Sequence, residues 1–119
     1  MTFTDKLIKK IQDGKGFSIT LSNKKPKSGY MVALSKSCER TIPRTKNHER
    51  IGYELQEFIK ANLFPLLNGA YLGVWVTDKN IVFDVSENFA SEVITKELGR
   101  IRKQQAIWDV VSGCEMYLN

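Results

Sequence analysis

Apolar and polar positions alternate most regularly between residues 69 and 86, GAYLGVWVTDKNIVFDVS. Side chains alternate across a strand. Leu72, Val74 and Val76 therefore share one face, and Tyr71, Gly73, Trp75 and Thr77 share the other. After a tight turn at Asp78-Lys79-Asn80, Ile81, Phe83 and Val85 form a second apolar row, with Val82, Asp84 and Ser86 opposite. The pattern predicts an antiparallel hairpin with one aliphatic face on the core and one less apolar face. Gly73 in mid-strand marks a bulge, or a close approach by another segment or a large side chain.

The rest of the chain divides by period. Over residues 4–13, Leu7, Ile8 and Ile11 recur at helical spacing, with Lys9-Lys10 read as a solvated face. Thr2-x-x-Asp5 has the form of a capping box, Thr4 being an alternative cap, and Gly14 stands where a left-handed helix end is wanted. Residues 17–21 and 30–34 alternate as strands, and read as a second hairpin with a long basic tip, SNKKPKSG. Residues 36–47 read as irregular. A main helix then runs from the cap Asn47 to about Asn62, with Ile51, Leu55, Phe58, Ile59 and Asn62 or Leu63 inward and Glu54, Glu57 and Lys60 outward. Pro65 ends it, and Leu66-Leu67 are expected to fold under the core. A third helix begins near residues 89–91 and reaches about Lys103, with Val93 or Ile94, Leu98 and Ile101 as its apolar stripe. Two more strands, 106–111 and 114–118, turn at Ser112-Gly113. Strands adjacent in sequence, without long crossovers, predict an α+β domain over residues 1–119. Its antiparallel sheet of hairpins carries about three helices on one face.

Charge changes this picture. The net charge is +5, unevenly placed: residues 1–50 hold twelve Lys/Arg and four Asp/Glu, whereas residues 51–119 hold six and nine. Such asymmetry points to an anionic partner, a nucleic acid or an acidic protein, or to a solvated basic side. The lysines of the long tip, Lys24, Lys25 and Lys27, with Arg40, Arg44 and Lys46 after them, suit contacts to phosphates. They also suit a charged guard on a sheet edge. Arg100, Arg102 and Lys103 complement the negative end of the third helix, with anion binding as the other reading.

Candidate chemistry is sparse. The chain lacks a phosphate loop, a dinucleotide fingerprint, a nucleophile elbow and a zinc-protease motif. One histidine, His48, and two distant cysteines, Cys38 and Cys114, offer little for a metal, so neither metal nor cofactor is expected. Asp84 and Asp109 each stand in an aromatic-Asp-Val strand and would serve acid/base chemistry or a divalent ion only if they converge. Tyr71, Trp75 and Trp108 form either a base-stacking platform, a second small core or an interface. No apolar run reaches membrane length and the first residues lack the order of a signal peptide, which gives a cytoplasmic, non-membrane expectation. An exposed edge at residues 114–118 would allow a two-fold dimer.

The segments GFSITLSNKKPKSGYMVAL, YLGVWV, IVFDVS and QQAIWDVVSGCEMYL resemble a group of small phage, plasmid and bacterial proteins. Those proteins pair a GF…SGY segment with YLGxW…DVS and QxAIWD…G segments. The matching positions are Gly29, Tyr30, Gly73, Trp75, Asp84, Ser86, Gln105, Trp108, Asp109 and Gly113. The resemblance implies a mobile-element accessory protein and no particular reaction. The combined expectation is a protein that acts by binding a nucleic acid or a host protein that handles nucleic acid, such as a defence nuclease. A small enzyme using Asp84 and Asp109, or a structural homo-oligomer, are the alternatives.

Overall fold

The computed structural model describes residues 1–118. In chain order the elements are α1 (Phe3–Gln12), β1 (Phe17–Ile19), β2 (Tyr30–Ala33), β3 (Arg40–Pro43), α2 (His48–Ala61), α3 (Leu63–Leu67), β4 (Tyr71–Val76), β5 (Asn80–Phe89), α4 (Glu92–Ile101), β6 (Ala106–Asp109) and β7 (Cys114–Tyr117). A 3₁₀ turn, Lys36–Cys38, precedes β3. The architecture is α+β: a seven-stranded antiparallel sheet in the order β1-β4-β5-β2-β6-β7, with β3 also on β5 and the helices on one face.

The predicted central hairpin is the middle of this sheet. Leu72 pairs with Val85, Val74 with Phe83 and Val76 with Ile81. The first four of these six residues and Ile81 are buried against Leu7, Ile8 and Ile11 of α1 and Ile51, Leu55 and Phe58 of α2. Phe58 and Phe83 stack with centroids 5.5 Å apart. Both predicted helix starts hold. Asp5 N–H donates to Thr2 Oγ1 and Thr2 N–H to Asp5 Oδ2, which selects Thr2 over Thr4 as the cap. Arg50 N–H donates to Asn47 Oδ1. Gly14 follows α1 with φ +77°, the left-handed conformation a side chain resists.

Several expectations are corrected. β1 and β2 are not a hairpin: β1 pairs with β4, while β2 pairs with β5 and β6. Their alternation was legible, but a ten-residue connection leaves the partner open, and the longer β4–β5 pair takes the centre. The connection crosses the sheet on the face away from the helices, where Lys25 and Pro26 meet Trp75 and Trp108. Residues 40–43 are a strand, not irregular chain, because Ile42 pairs with Ile81 and is buried. β5 continues past Ser86 to Phe89, and its last residues bind β2.

Glu54 is only 3 % exposed rather than outward. Its carboxylate accepts from Arg40 Nε at 2.7 Å and Nη2 at 3.2 Å, so its burial is compensated by a two-pronged contact. Pro65 stands inside the short α3, near its start, where a missing N–H is tolerated. Leu66 lies in the core, but Leu67 is 68 % exposed.

α4 also turns differently from the prediction. Its buried residues are Thr95 and Gly99, whereas Val93, Ile94 and Ile101 are exposed. A Cβ at Gly99 would meet Ile107, Val32 and Leu118, so the helix approaches the sheet through its smallest residue. The Thr95 hydroxyl donates to Ser91 O at 2.6 Å, which satisfies it in the buried contact. β7 and β1 end the sheet order, and among the described residues neither has a partner strand on its outer edge. No helix among the described residues is long and apolar enough to cross a membrane.

Candidate nucleic-acid interface

The register assigns every strand residue to a face. Opposite the helices lie Ser18, Gly73, Trp75, Asp84, Ser86, Met31 and Trp108. Trp75 on β4 and Trp108 on β6 come from strands separated by β5 and β2. Their indoles nevertheless lean toward each other to an edge-to-face contact, centroids 5.8 Å apart and planes at 68°. Trp75 remains 42 % exposed, so the pair is not a closed second core.

Gly73, Trp75 and Asp84 form one device. Gly73 is paired with Asp84, and a Cβ at 73 would collide with the Asp84 carboxylate. The missing side chain lets that carboxylate lie across β4, where Oδ2 accepts the Trp75 indole N–H at 3.2 Å. Oδ1 accepts from the Ser86 hydroxyl at 3.4 Å. Burial pushes the Asp84 acid above the usual carboxylate range, the Trp75 and Ser86 hydrogen bonds pull it down, and the Glu39 charge adds to the rise.

A folded-state pKa above the unfolded value means that the native state holds the proton more tightly. The ionised carboxylate then costs stability above the unfolded pKa, and the cost fades as pH falls. Asp84→Asn keeps an acceptor for Trp75 without the charge. It is expected to raise stability at pH 7 by about 1 kcal/mol, with the gain shrinking toward pH 4. Urea melts at several pH values check this; an equal or growing gain at low pH contradicts it.

An open groove of about 740 Å³ runs beside the tryptophans. Its basic wall is Lys10, Lys15 and Lys25; Phe17, Trp75 and Trp108 supply its aromatic surface. An adjoining hollow is lined by Lys10, Lys24, Lys25, Lys27 and Tyr71. Among the described residues none of these five lysines makes an ion pair. Burial, then the neighbouring Lys25 and Lys15 charges, lower the Lys10 pKa. The Lys10 ammonium stands 5.8 Å from the centre of the Phe17 ring.

The lysine-bearing connection is tied at both ends. Thr20 N–H donates to Lys24 O at 2.9 Å and Lys24 N–H to Thr20 Oγ1 at 3.0 Å. Asn88 Nδ2 donates to Ser28 O at 2.8 Å.

The sequence-predicted basic set divides. Lys24, Lys25 and Lys27 join the groove and hollow. Arg40 is spent on Glu54 on the helix face. Arg44 Nη1 donates to Thr77 O at 3.1 Å and clips β3 to the hairpin turn. Lys46 is exposed outside the groove, and its carbonyl accepts from Gln12. Arg100 pairs with Glu97, Arg102 pairs with Glu87 and donates to Ala33 O, and Lys103 is exposed beyond α4. Those three follow the helix layer, away from the groove. Of the aromatic set, Trp75 and Trp108 meet, while Tyr71 stands apart in the adjoining hollow.

Asp84 and Asp109 do not converge. Asp84 is on the open face, whereas Asp109 pairs with Tyr30 on the helix face. Asp109 Oδ1 accepts the Val111 and Ser112 N–H groups and closes the β6–β7 turn. Among the described residues no group of three or more His, Cys, Asp or Glu could hold a metal.

Sequence reasoning missed Lys10 and Lys15. The available signal was position: Lys10 is three residues after Leu7 and next to Ile11, on the border of the apolar stripe, unlike the fully outward Lys9. No family model, curated protein or solved structure matches this chain.

Proposed function

We propose that this protein acts by binding single-stranded nucleic acid along the groove, with the lysines on the phosphates and the indole pair against the bases. The observation that carries this reading is the joining of five lysines, without acidic partners among the described residues, to an accessible tryptophan pair on one face. Sequence-tolerant single-strand binders combine these two features, since every base has a stacking face and every phosphate a charge. A duplex would offer the phosphates but keep its bases from the indoles.

Titration of a labelled mixed-sequence 12-mer tests the reading. With about four phosphates contacted, affinity is expected to fall roughly 50-fold between 50 and 200 mM salt. The matching duplex is expected to bind more weakly at every salt concentration. No binding at the lowest salt overturns the proposal and leaves the basic wall to an acidic protein surface.

A further inference from the structure

We infer that the lysine end of the groove takes a phosphomonoester, the terminal phosphate of a single strand, with the indole pair covering the adjacent base. This rests on the single-strand reading of the groove and names the part of the ligand that it grips.

Lys10 and Lys15, at the end of α1, and Lys25, on the β1–β2 connection, line the same groove. Their backbones are held by local hydrogen bonds. Lys10 lies in α1, Lys15 N–H donates to Lys10 O at 2.9 Å, and Lys25 follows the closed Thr20–Lys24 turn. The ammonium groups therefore repel one another on a scaffold that does not let the backbone relax. No carboxylate among the described residues pairs with any of them. Burial first, and then the Lys25 and Lys15 charges, lower the Lys10 pKa.

A phosphodiester brings one negative charge and two free oxygens. A monoester near neutral pH brings about −1.5 to −2 and three acceptor oxygens. Three lysines lining one groove match the second ligand in both charge and number. Lys24 and Lys27, in the adjoining hollow with Tyr71, remain for the diesters further along. Trp75 and Trp108 border the same groove, placing an aromatic surface beside the phosphate site.

The test uses the full chain and four labelled oligonucleotides of one sequence: 5′-phosphate, 3′-phosphate, both, and neither. Fluorescence polarisation at about 150 mM salt reads affinity. At least one phosphorylated end is expected to tighten binding about 10-fold. Lys10→Gln is expected to abolish that preference, the phosphorylated strand losing about 10-fold more affinity than the hydroxyl-ended strand, with an unchanged thermal midpoint. A nucleoside monophosphate is expected to displace the phosphorylated strand, and the nucleoside is not.

Equal affinity for all four oligonucleotides overturns the terminal-phosphate site and leaves single-strand binding intact. Binding of none of them overturns the underlying reading as well. Retention of the phosphate preference in Lys10→Gln and in Lys25→Gln removes these lysines from the site.

Discussion

Replacing Lys10, Lys15 and Lys25 together by glutamine is expected to lower affinity for a single-stranded 12-mer about 100-fold near 100 mM salt. The reasoning is electrostatic. All three ammoniums line the groove and are free of acidic partners among the described residues, so each is available to displace a condensed cation from a phosphate. Three lost contacts should also flatten the plot of log affinity against log salt by about 2.

Folding should not suffer. The three like charges line one groove with no acidic partner among the described residues, so removing them leaves stability unchanged or slightly higher. The informative control is Lys46→Gln, Arg100→Gln and Lys103→Gln in one chain. It removes the same formal charge from residues outside the groove. Beyond about 10 Å such charges are screened, so affinity should stay within about 3-fold of the parent. Equal losses in the two triple variants would mean that net charge, rather than this groove, does the binding.

Gly73→Ala is expected to destabilise the protein by about 2 kcal/mol and to change the environment of Trp75. The added Cβ occupies the place of the Asp84 carboxylate oxygen. That carboxylate is short and doubly held, by the Trp75 indole at 3.2 Å and the Ser86 hydroxyl at 3.4 Å, so moving it gives up both contacts. The small intrinsic gain from replacing a strand glycine is outweighed.

A double-mutant cycle isolates the cause. With Asp84→Ala already present, Gly73→Ala should cost nothing or stabilise, because the obstructing atoms are gone. Near-ultraviolet circular dichroism should show the tryptophan signal altered in both single variants. A neutral Gly73→Ala in the parent background contradicts the Gly73–Asp84–Trp75 device.

Much of the fold was legible because period and capping are local. The β4–β5 pair, the α1 and α2 stripes, Thr2 and Asn47 as caps and Gly14 as a helix end all follow from residues within one or two turns of each other. What was not legible depended on distant partners. Nothing near residue 54 announces that Arg40 buries Glu54. Nothing near residues 17–34 announces that β1 and β2 will be separated by β4 and β5. α4 reversed its expected face because close approach at Gly99, a contact with β2 and β6, outweighed the apolar stripe of Ile94 and Ile101.

The candidate site was half legible for the same reason. Lys24, Lys25 and Lys27 were visible as a charge run, and Trp75 and Trp108 as aromatics on a polar-facing row. Their meeting required the crossing of the β1–β2 connection over the open face, which also recruits Lys10 and Lys15. Arg40, Arg44, Arg100 and Arg102 carry the same charge in sequence. The fold commits them to Glu54, the Thr77 carbonyl, Glu97 and Glu87.

The central claim is that strand and protein meet at the lysine and indole groove. The most direct measurement follows the two indole N–H signals in ¹H–¹⁵N spectra while an unlabelled single-stranded 12-mer is added at low salt. The Trp75 and Trp108 indole signals are expected to move together, with the backbone amides of residues 15–17, 24, 25 and 27. Unmoved indole signals, or shifts confined to the helix face around Arg40 and Arg100, would contradict it.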